Sequence, residues 1–216
     1  MTKKREIYQQ LKQNYLFAVI RGNNQEEAIS IAKACIAGGI KNIEITYTTP
    51  DATEVIHLLK KEYIQTSVLV GAGTVLDELT ARQAILAGAD FIVSPHLDLD
   101  IITTCHRYSI PYFPGCCTPT EITTALNHGI EIVKLFPAGL LGPSFIKDIH
   151  GPLPHAEMMP SGGVDFETLE AWIKVGSWAV GIGSILTKHI ATEGYASVER
   201  ASKEIVSKTR EILQHE

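Results

Sequence analysis

Short hydrophobic runs rich in β-branched residues alternate along the chain with longer segments whose apolar positions recur at helical spacing. The short runs predict strands over residues 16–20, 42–47, 67–71, 91–94, 112–115, 132–136, 157–160 and 179–183. After a first helix that precedes residue 16, the longer segments predict helices over residues 25–37, 52–62, 78–87, 99–108, 120–128, 144–149, 166–175 and 196–214. Strands that alternate with helices in this way are typical of a parallel sheet.

A weak internal repeat supports this strand count. Gly39, Gly88, Gly129 and Gly176 each end a predicted helix just before a strand, at intervals of two strand–helix units. Eight strands predict a (β/α)8 TIM barrel with an extra N-terminal helix, in a single domain over residues 1–216. An open, doubly wound sheet is the alternative, but the G-x-G-x-x-G that usually follows its first strand is absent from this sequence.

The composition is that of a globular protein, with 45% hydrophobic and 20% charged residues among 216. The net charge of −5 gives no basic surface for nucleic acid, so neither nucleic acid nor a membrane is expected as a partner. The first 13 residues lack the apolar core and cleavage site of a secretory signal. No stretch reaches the roughly 18 apolar residues of a membrane span, which predicts a cytoplasmic protein.

The sixth predicted strand places a lysine inside the barrel. Val133 and Leu135 form the apolar face that packs on helices, so Lys134 and Phe136 point into the interior. An ammonium group is costly to bury without a partner. Lys134 lies where the strand ends, at the carboxyl-terminal rim where barrels of this kind keep their active sites.

The second predicted strand supplies a partner for that lysine. Ile43 and Ile45 face outward, so Glu44 points inward. Strands 2 and 6 lie opposite each other in a ring of eight, which brings Glu44 and Lys134 face to face. A structural ion pair is one interpretation. The position at the rim favours the other, in which the amine forms a Schiff base and the carboxyl group moves protons.

Glycine-rich segments after the last two strands predict an anion site. Ser161-Gly162-Gly163 follows the seventh strand, and Gly181-Ile182-Gly183-Ser184 ends the eighth. The loops after these strands commonly bind phosphate through backbone N–H groups. A third glycine-rich turn, at residues 71–74, offers the Thr74 hydroxyl beside Glu44. The histidines show no H-E-x-x-H spacing, so no catalytic metal is expected.

Eight motifs occur in order on nearly every strand between about residues 16 and 186: IEIT (43–46), GAGTV (71–75), SPH (94–96), PG (114–115), TPTE (118–121), KLFPA (134–138), GP (142–143) and PSGG (160–163). With them the chain resembles the KDPG/KHG aldolase family. These class I aldolases cleave 2-keto-3-deoxy-6-phosphogluconate (KDPG) and, in many members, 4-hydroxy-2-oxoglutarate.

The resemblance implies a role for each matching residue. Lys134 resembles the Schiff-base lysine, Glu44 the general acid/base, and Thr74 the hydroxyl that holds the pyruvyl carboxylate. The remaining substrate-binding residues are the pocket walls Pro95 and Phe136 and the phosphate cradle of Gly162, Gly163, Gly183 and Ser184. The family also implies a small-molecule 2-keto-acid substrate, a homotrimer, and no cofactor or metal.

One departure from the family concerns the substrate's charge. Thr48 stands where many members have an arginine that binds a substrate anion, and Arg21 at the end of the first strand is the predicted replacement. Two other functions stay open on the sequence: a phosphate-binding isomerase or epimerase, and a non-catalytic barrel. The motifs also leave open the configuration at C4 of the substrate, the preference between KDPG and hydroxyoxoglutarate, and the resting protonation of Lys134 and Glu44.

Overall fold

The hydrophobic runs of the sequence form parallel strands. The structure, a computed structural model, describes residues 2–214. In this range the strands are β1 (Leu16–Ile20), β2 (Asn42–Thr46), β3 (Leu69–Gly73), β4 (Ile92–Val93), β5 (Tyr112–Phe113), β6 (Gly115–Cys116), β7 (Ile132–Leu135), β8 (Glu157–Pro160) and β9 (Val180–Ile182).

Helices precede and follow these strands. They are α1 (Lys3–Asn14), α2 (Gln25–Ala37), α3 (Ala52–Glu62), α4 (Glu78–Leu86), α5 (Leu99–Tyr108), α6 (Pro119–Asn127), α7 (Ala138–Leu141), α8 (Ser144–His150), α9 (Leu169–Lys174), α10 (Ser184–Thr187), α11 (Ile190–Glu193) and α12 (Tyr195–Gln214). Four helices have an N-cap residue whose side chain accepts a backbone N–H of the first turn. These residues are Asn24 before α2, Asp77 before α4, Asp98 before α5 and Thr118 before α6. The extra N-terminal helix is present as α1.

The strands form two parallel sheets. The larger has the order β5-β4-β3-β2-β1-β9, and the smaller has the order β6-β7-β8. Trp178 N–H donates to the Met158 carbonyl at 2.8 Å, and Ser161 pairs with Gly181, so bonds also join β8 to β9. The structure therefore confirms the coarser part of the TIM-barrel prediction, an α/β fold with a curled parallel sheet.

Alternate strand positions enter two different cores. Outward residues such as Ile43, Ile45, Val133 and Leu135 belong to the large cluster under the helices. A second cluster joins Ile7, Tyr8 and Leu11 of α1 to the inward residues Phe17, Leu69, Phe91, Val93, Phe113, Ile132, Met159, Trp178 and Ala179. We call this second cluster the aromatic floor, because four rings meet in it edge to face or tilted around Phe113.

The prediction for the third strand was wrong by two residues. The strand was expected over residues 67–71 with a glycine-rich turn at 71–74, whereas Gly71 and Gly73 lie within β3. A Cβ at Gly71 would overlap the Phe91 ring, and one at Gly73 would overlap the Glu44 carboxylate. The glycines therefore serve close approach within a strand rather than a turn.

Two further differences have local causes. The strand predicted over residues 112–115 is divided into β5 and β6 at Pro114, which has no N–H to donate to a sheet. The short helices α7, α10 and α11 were not predicted, since four residues are too few to show helical periodicity. Among residues 2–214, no helix has the length and apolar character needed to cross a membrane.

Candidate active site

Lys134 lies inside the fold on β7. Only 4% of the residue is exposed, and its Nζ lies 4.8 Å from the centroid of the Phe136 ring. An ammonium over an aromatic face is attracted by the ring's quadrupole. The backbone N–H of Lys134 donates to the Pro114 carbonyl at 2.8 Å, which fixes the position of this residue between β6 and β8.

Glu44 on β2 is buried with its carboxyl group unpartnered. The residue is 1% exposed, and neither carboxylate oxygen has a hydrogen-bond partner among residues 2–214. The missing side chain at Gly73 leaves the space that Oε1 of Glu44 occupies. Buried polar groups are nearly always bonded, so an unpartnered buried carboxyl group indicates that a ligand or water completes the site.

Burial shifts both groups toward their neutral forms. It lowers the pKa of Lys134, which the charge of Glu44 opposes and the charge of Arg21 reinforces. Burial raises the pKa of Glu44, and the positive charges of Lys134 and Arg21 oppose that rise. Desolvation is the larger effect in both cases. Burial therefore weakens the preference of each group for its charged form.

One cavity of about 100 Å³ brings together most of the predicted site. Its lining includes seven predicted residues: Arg21, Lys134, Phe136, Gly162, Gly163, Gly183 and Ser184. It also includes Ser161 and Gly181, which belong to the two glycine-rich segments predicted to bind an anion, and two residues that sequence reasoning did not assign, Val19 and Val164. Strand alternation was the signal available for Val19, which shares a face of β1 with Phe17.

The glycine loop after β8 presents free backbone donors to this cavity. Gly162 and Gly163 have φ values of 78° and 98°, a region that side chains other than glycine disfavour. Gly139 N–H holds the loop by donating to the Gly162 carbonyl at 2.7 Å. The N–H groups of Gly162 and Gly163 donate to nothing within residues 2–214, and exposed Ser184 lies on the same cavity.

Arg21 lies between the buried pair and the glycine loops. Its side chain makes no hydrogen bond or ion pair with the described residues, although its charge affects Glu44 and Lys134. A Cβ at Gly183 would lie 3.7 Å from Nη1 of Arg21. This guanidinium is therefore free to bind an anion in the cavity.

Three predicted residues, Glu44, Thr74 and Pro95, are not part of the cavity lining. Thr74 is half-buried directly after Gly73, with a φ of 55°, and thus follows the residue that contacts the Glu44 carboxylate. Half-buried Pro95 lies against β6, where a Cβ at Gly115 would overlap its carbonyl. The structure places Thr74 and Pro95 at the rim, at the ends of β3 and β4.

A larger cavity, about 500 Å³, lies elsewhere, beside α12. It is lined by ordinary surface charges such as Glu193 and Arg200, which pair with each other. It contains none of the predicted site residues, whereas Lys134 and Arg21 line the smaller cavity, so we assign the candidate active site to the smaller cavity. Within residues 2–214, no group of three or more His, Cys, Asp or Glu side chains is arranged to hold a metal ion.

A buried amine that interacts with a buried carboxyl group, together with a guanidinium and unpartnered N–H groups at the cavity, is an arrangement suited to carbonyl chemistry on an anionic substrate. Residues 7–201 match the family described as "KDPG and KHG aldolase", and the chain belongs to that family. It is 35% identical over 187 residues to the 2-dehydro-3-deoxy-phosphogluconate aldolase of Treponema pallidum, covering 83% of this chain and 88% of that protein.

Solved structures agree with this assignment. The structure named "Native KDPGal structure" is 31% identical and superimposes with a TM-score of 0.84 over 92% of this chain and 96% of that one. A KDPG aldolase from Legionella pneumophila, captured with pyruvate as a covalent carbinolamine, is 26% identical with a TM-score of 0.82. That likeness covers 95% of this chain and 98% of that one.

Proposed function

We propose that this protein is a class I aldolase that cleaves KDPG to pyruvate and glyceraldehyde 3-phosphate, and 4-hydroxy-2-oxoglutarate to pyruvate and glyoxylate. One observation carries the proposal: a buried lysine lines a cavity edged by two glycine loops, and its charge interacts with that of an unpartnered buried carboxyl group. Membership of the aldolase family supports it. So does the carbinolamine captured in the Legionella relative.

The reaction begins with Lys134 as a neutral amine and Glu44 as an acid. The amine attacks the C2 ketone, and Glu44 protonates the departing hydroxyl, which leaves water, an iminium ion and a carboxylate. The carboxylate then takes the proton of the C4 hydroxyl. The C3–C4 bond breaks, an aldehyde leaves, and its bonding electrons form an enamine.

Glu44 completes the turnover by returning that proton to C3 of the enamine. Water then adds to the resulting iminium, and the carboxylate accepts its proton. Collapse of the second carbinolamine releases pyruvate and restores the amine and the acid. A buried, weakly solvated acid with a raised pKa suits these alternating roles, because each transfer requires both of its protonation states.

The remaining predicted residues bind the substrate. We assign Arg21 and Thr74 to the pyruvyl carboxylate, because Arg21 is unpartnered at the cavity and Thr74 lies beside the end of β3. Phe136 and Pro95 are walls. The free N–H groups of Gly162 and Gly163, with Gly183 and Ser184, bind the phosphate.

The proposal extends to the architecture. Bonds between β8 and β9, together with the direct succession of β5 and β6 in the chain, support closure of the two sheets into a (β/α)8 barrel within one domain over residues 1–216. A homotrimer and the absence of a cofactor follow from the family resemblance, and a cytoplasmic location follows from the sequence pattern; all three stay proposals.

Release of pyruvate tests the reaction. We expect purified protein to release pyruvate from KDPG and from 4-hydroxy-2-oxoglutarate, measured by coupled oxidation of NADH with lactate dehydrogenase. The C4 epimer of KDPG, assayed in parallel, reports the configuration that the site prefers. An isomerase or a non-catalytic barrel would release no pyruvate from any of the three.

A further inference from the structure

The chain on both sides of Arg21 is held by threonine hydroxyls from the end of β2. Thr46 Oγ1 donates to the Ile20 carbonyl at 2.9 Å, just before Arg21. The Gly22 N–H, just after it, donates to Thr49 Oγ1 at 3.1 Å. Thr46 is fully buried and Thr49 is 3% exposed, so water does not compete for either bond.

The direction of these bonds is set by their partners. The Ile20 carbonyl can only accept a hydrogen bond, so Thr46 donates its one hydroxyl proton to that carbonyl. Thr48 Oγ1 lies 2.7 Å from Thr46 Oγ1 and must therefore be the donor in that contact. The result is a directed chain from Thr48 through Thr46 to the backbone that precedes Arg21.

The residue after Arg21 is also fixed by packing. A Cβ at Gly22 would lie 2.7 Å from the Ala28 nitrogen, so this backbone sits directly on the first turn of α2. Asn23 N–H donates to Glu27 at 2.6 Å and continues the anchoring. Between these anchors, the Arg21 side chain is unpartnered and lines the cavity.

We propose that Thr46 and Thr49 are positioning residues that hold Arg21 in place for the carboxylate of the keto-acid substrate. The inference rests on the proposed function. Thr48, where the family resemblance predicts an arginine, supports the same arrangement by donating to Thr46. Holding the backbone of Arg21 in place improves the binding of substrate by its long side chain, because a donor that is already ordered loses less entropy on binding.

Borohydride trapping with pyruvate as the probe tests this role. Thr46→Val keeps the shape of the side chain and removes the hydroxyl. We expect it to raise the half-saturating pyruvate concentration by roughly fivefold to tenfold, part of the loss expected for a charge-assisted bond. The trapping rate at saturation should stay within about twofold, since the amine is untouched. Thr46→Ser should restore the wild-type concentration, and Thr49→Val should resemble Thr46→Val.

Thr209→Val is the matched control. Its hydroxyl is also buried and donates to a backbone carbonyl, that of Ile205 at 2.7 Å, but on α12 outside the cavity. Loss of this bond should leave the half-saturating pyruvate concentration unchanged. Thermal denaturation of each variant separates a folding defect from a binding defect, and Thr46→Ser and Thr49→Val carry the test if Thr46→Val does not fold.

A double-mutant cycle makes the test decisive. In the Arg21→Ala background, Thr46→Val should cause no further rise in the half-saturating concentration. A full rise in that background, or a Thr46→Val protein that binds pyruvate like wild type, overturns the positioning role while leaving the aldolase proposal intact. A wild-type protein that pyruvate does not label overturns the proposed function and this inference with it.

Discussion

The two ends of the protein's interior are built by the same strands but differ in chemistry. The aromatic floor is apolar and closely packed, with Phe113 in contact with the rings of Tyr8, Phe17, Phe91 and Trp178. The upper end holds Glu44, Lys134 and Arg21. Inside the fold, aromatic packing is concentrated at one end, and the unpartnered buried carboxyl group lies at the other.

The register of β1 and β2 shows how close the two ends are. Phe17 of the floor pairs with Asn42, and two residues further along, Val19 pairs with Glu44. An apolar layer thus lies one side-chain level below the carboxyl group. That layer keeps water away, which is the cause of the raised pKa of Glu44 and the lowered pKa of Lys134. The floor therefore contributes to reactivity as well as to folding.

The largest expected effect is that of Lys134→Ala. Loss of the nucleophile should reduce kcat/KM for KDPG by about four orders of magnitude or more, because no other lysine of residues 2–214 lines the cavity. The protein should unfold in urea at no lower concentration than wild type, since a costly buried amine is removed. Lys147→Ala, which removes an exposed lysine on α8, is the control and should keep full activity. Substantial activity in Lys134→Ala would refute the assignment of the catalytic chemistry to the upper end of the interior.

Glu44→Gln should separate imine formation from cleavage. We expect kcat to fall about 10²- to 10⁴-fold, the usual cost of losing a general acid/base. Pyruvate should still be trapped on the lysine, because the amine is present, but more slowly, because loss of water from the carbinolamine no longer has its acid. Cleavage within about threefold of the wild-type rate would show that another group moves the protons.

Phe113→Ala tests the opposite end. Removing a ring from the centre of the aromatic floor should lower the free energy of unfolding by about 3–5 kcal/mol, measured by urea denaturation. The fraction that remains folded should still cleave KDPG. Complete loss of activity in fully folded Phe113→Ala protein would contradict this account, because it would show that the floor is required for the reaction itself and not only for folding.

Arg21→Ala should have a smaller effect on catalysis. Loss of a charge-assisted contact to the carboxylate should reduce kcat/KM by roughly 10- to 100-fold. KDPG and 4-hydroxy-2-oxoglutarate should be affected together, since both carry that carboxylate. A loss confined to KDPG would instead place Arg21 on the phosphate.

The smallest effects are opposite shifts in the pH dependence of trapping. The charge of Glu44 raises the pKa of Lys134, so Glu44→Gln should move the midpoint of the trapping rate to lower pH. The charge of Arg21 lowers that pKa, so Arg21→Ala should move the midpoint to higher pH. The measurement is the rate of reductive trapping at saturating pyruvate between neutral and alkaline pH. Shifts in the same direction would contradict the electrostatic account.

The sequence predicted much of the fold because alternation of apolar residues decides which strand face is buried. Ile43, Ile45, Val133 and Leu135 could be assigned outward on that basis, which left Glu44 and Lys134 inside. The bounds of β3 could not be predicted, because the glycines that looked like a turn make room for side chains of neighbouring strands.

The candidate site shows the same division. Each glycine loop is a continuous segment of the sequence whose pattern predicts an anion site, so Gly162, Gly163 and Gly183 could be named in advance. The bonds from Thr46 and Thr49 to the residues around Arg21 join segments 26 and 27 positions apart. No local pattern predicts such contacts. Threonine is common in strands because its side chain is β-branched, so its presence there does not indicate a hydrogen bond to a distant segment.

Trapping of pyruvate tests the central claim most directly. The wild-type protein is incubated with pyruvate and borohydride, digested, and searched by mass spectrometry for a reduced pyruvyl group on lysine. The account predicts one modified lysine, Lys134, and no modification in Lys134→Ala. Modification of Lys147 or Lys174 in place of Lys134, or no modification of the wild type, would contradict it.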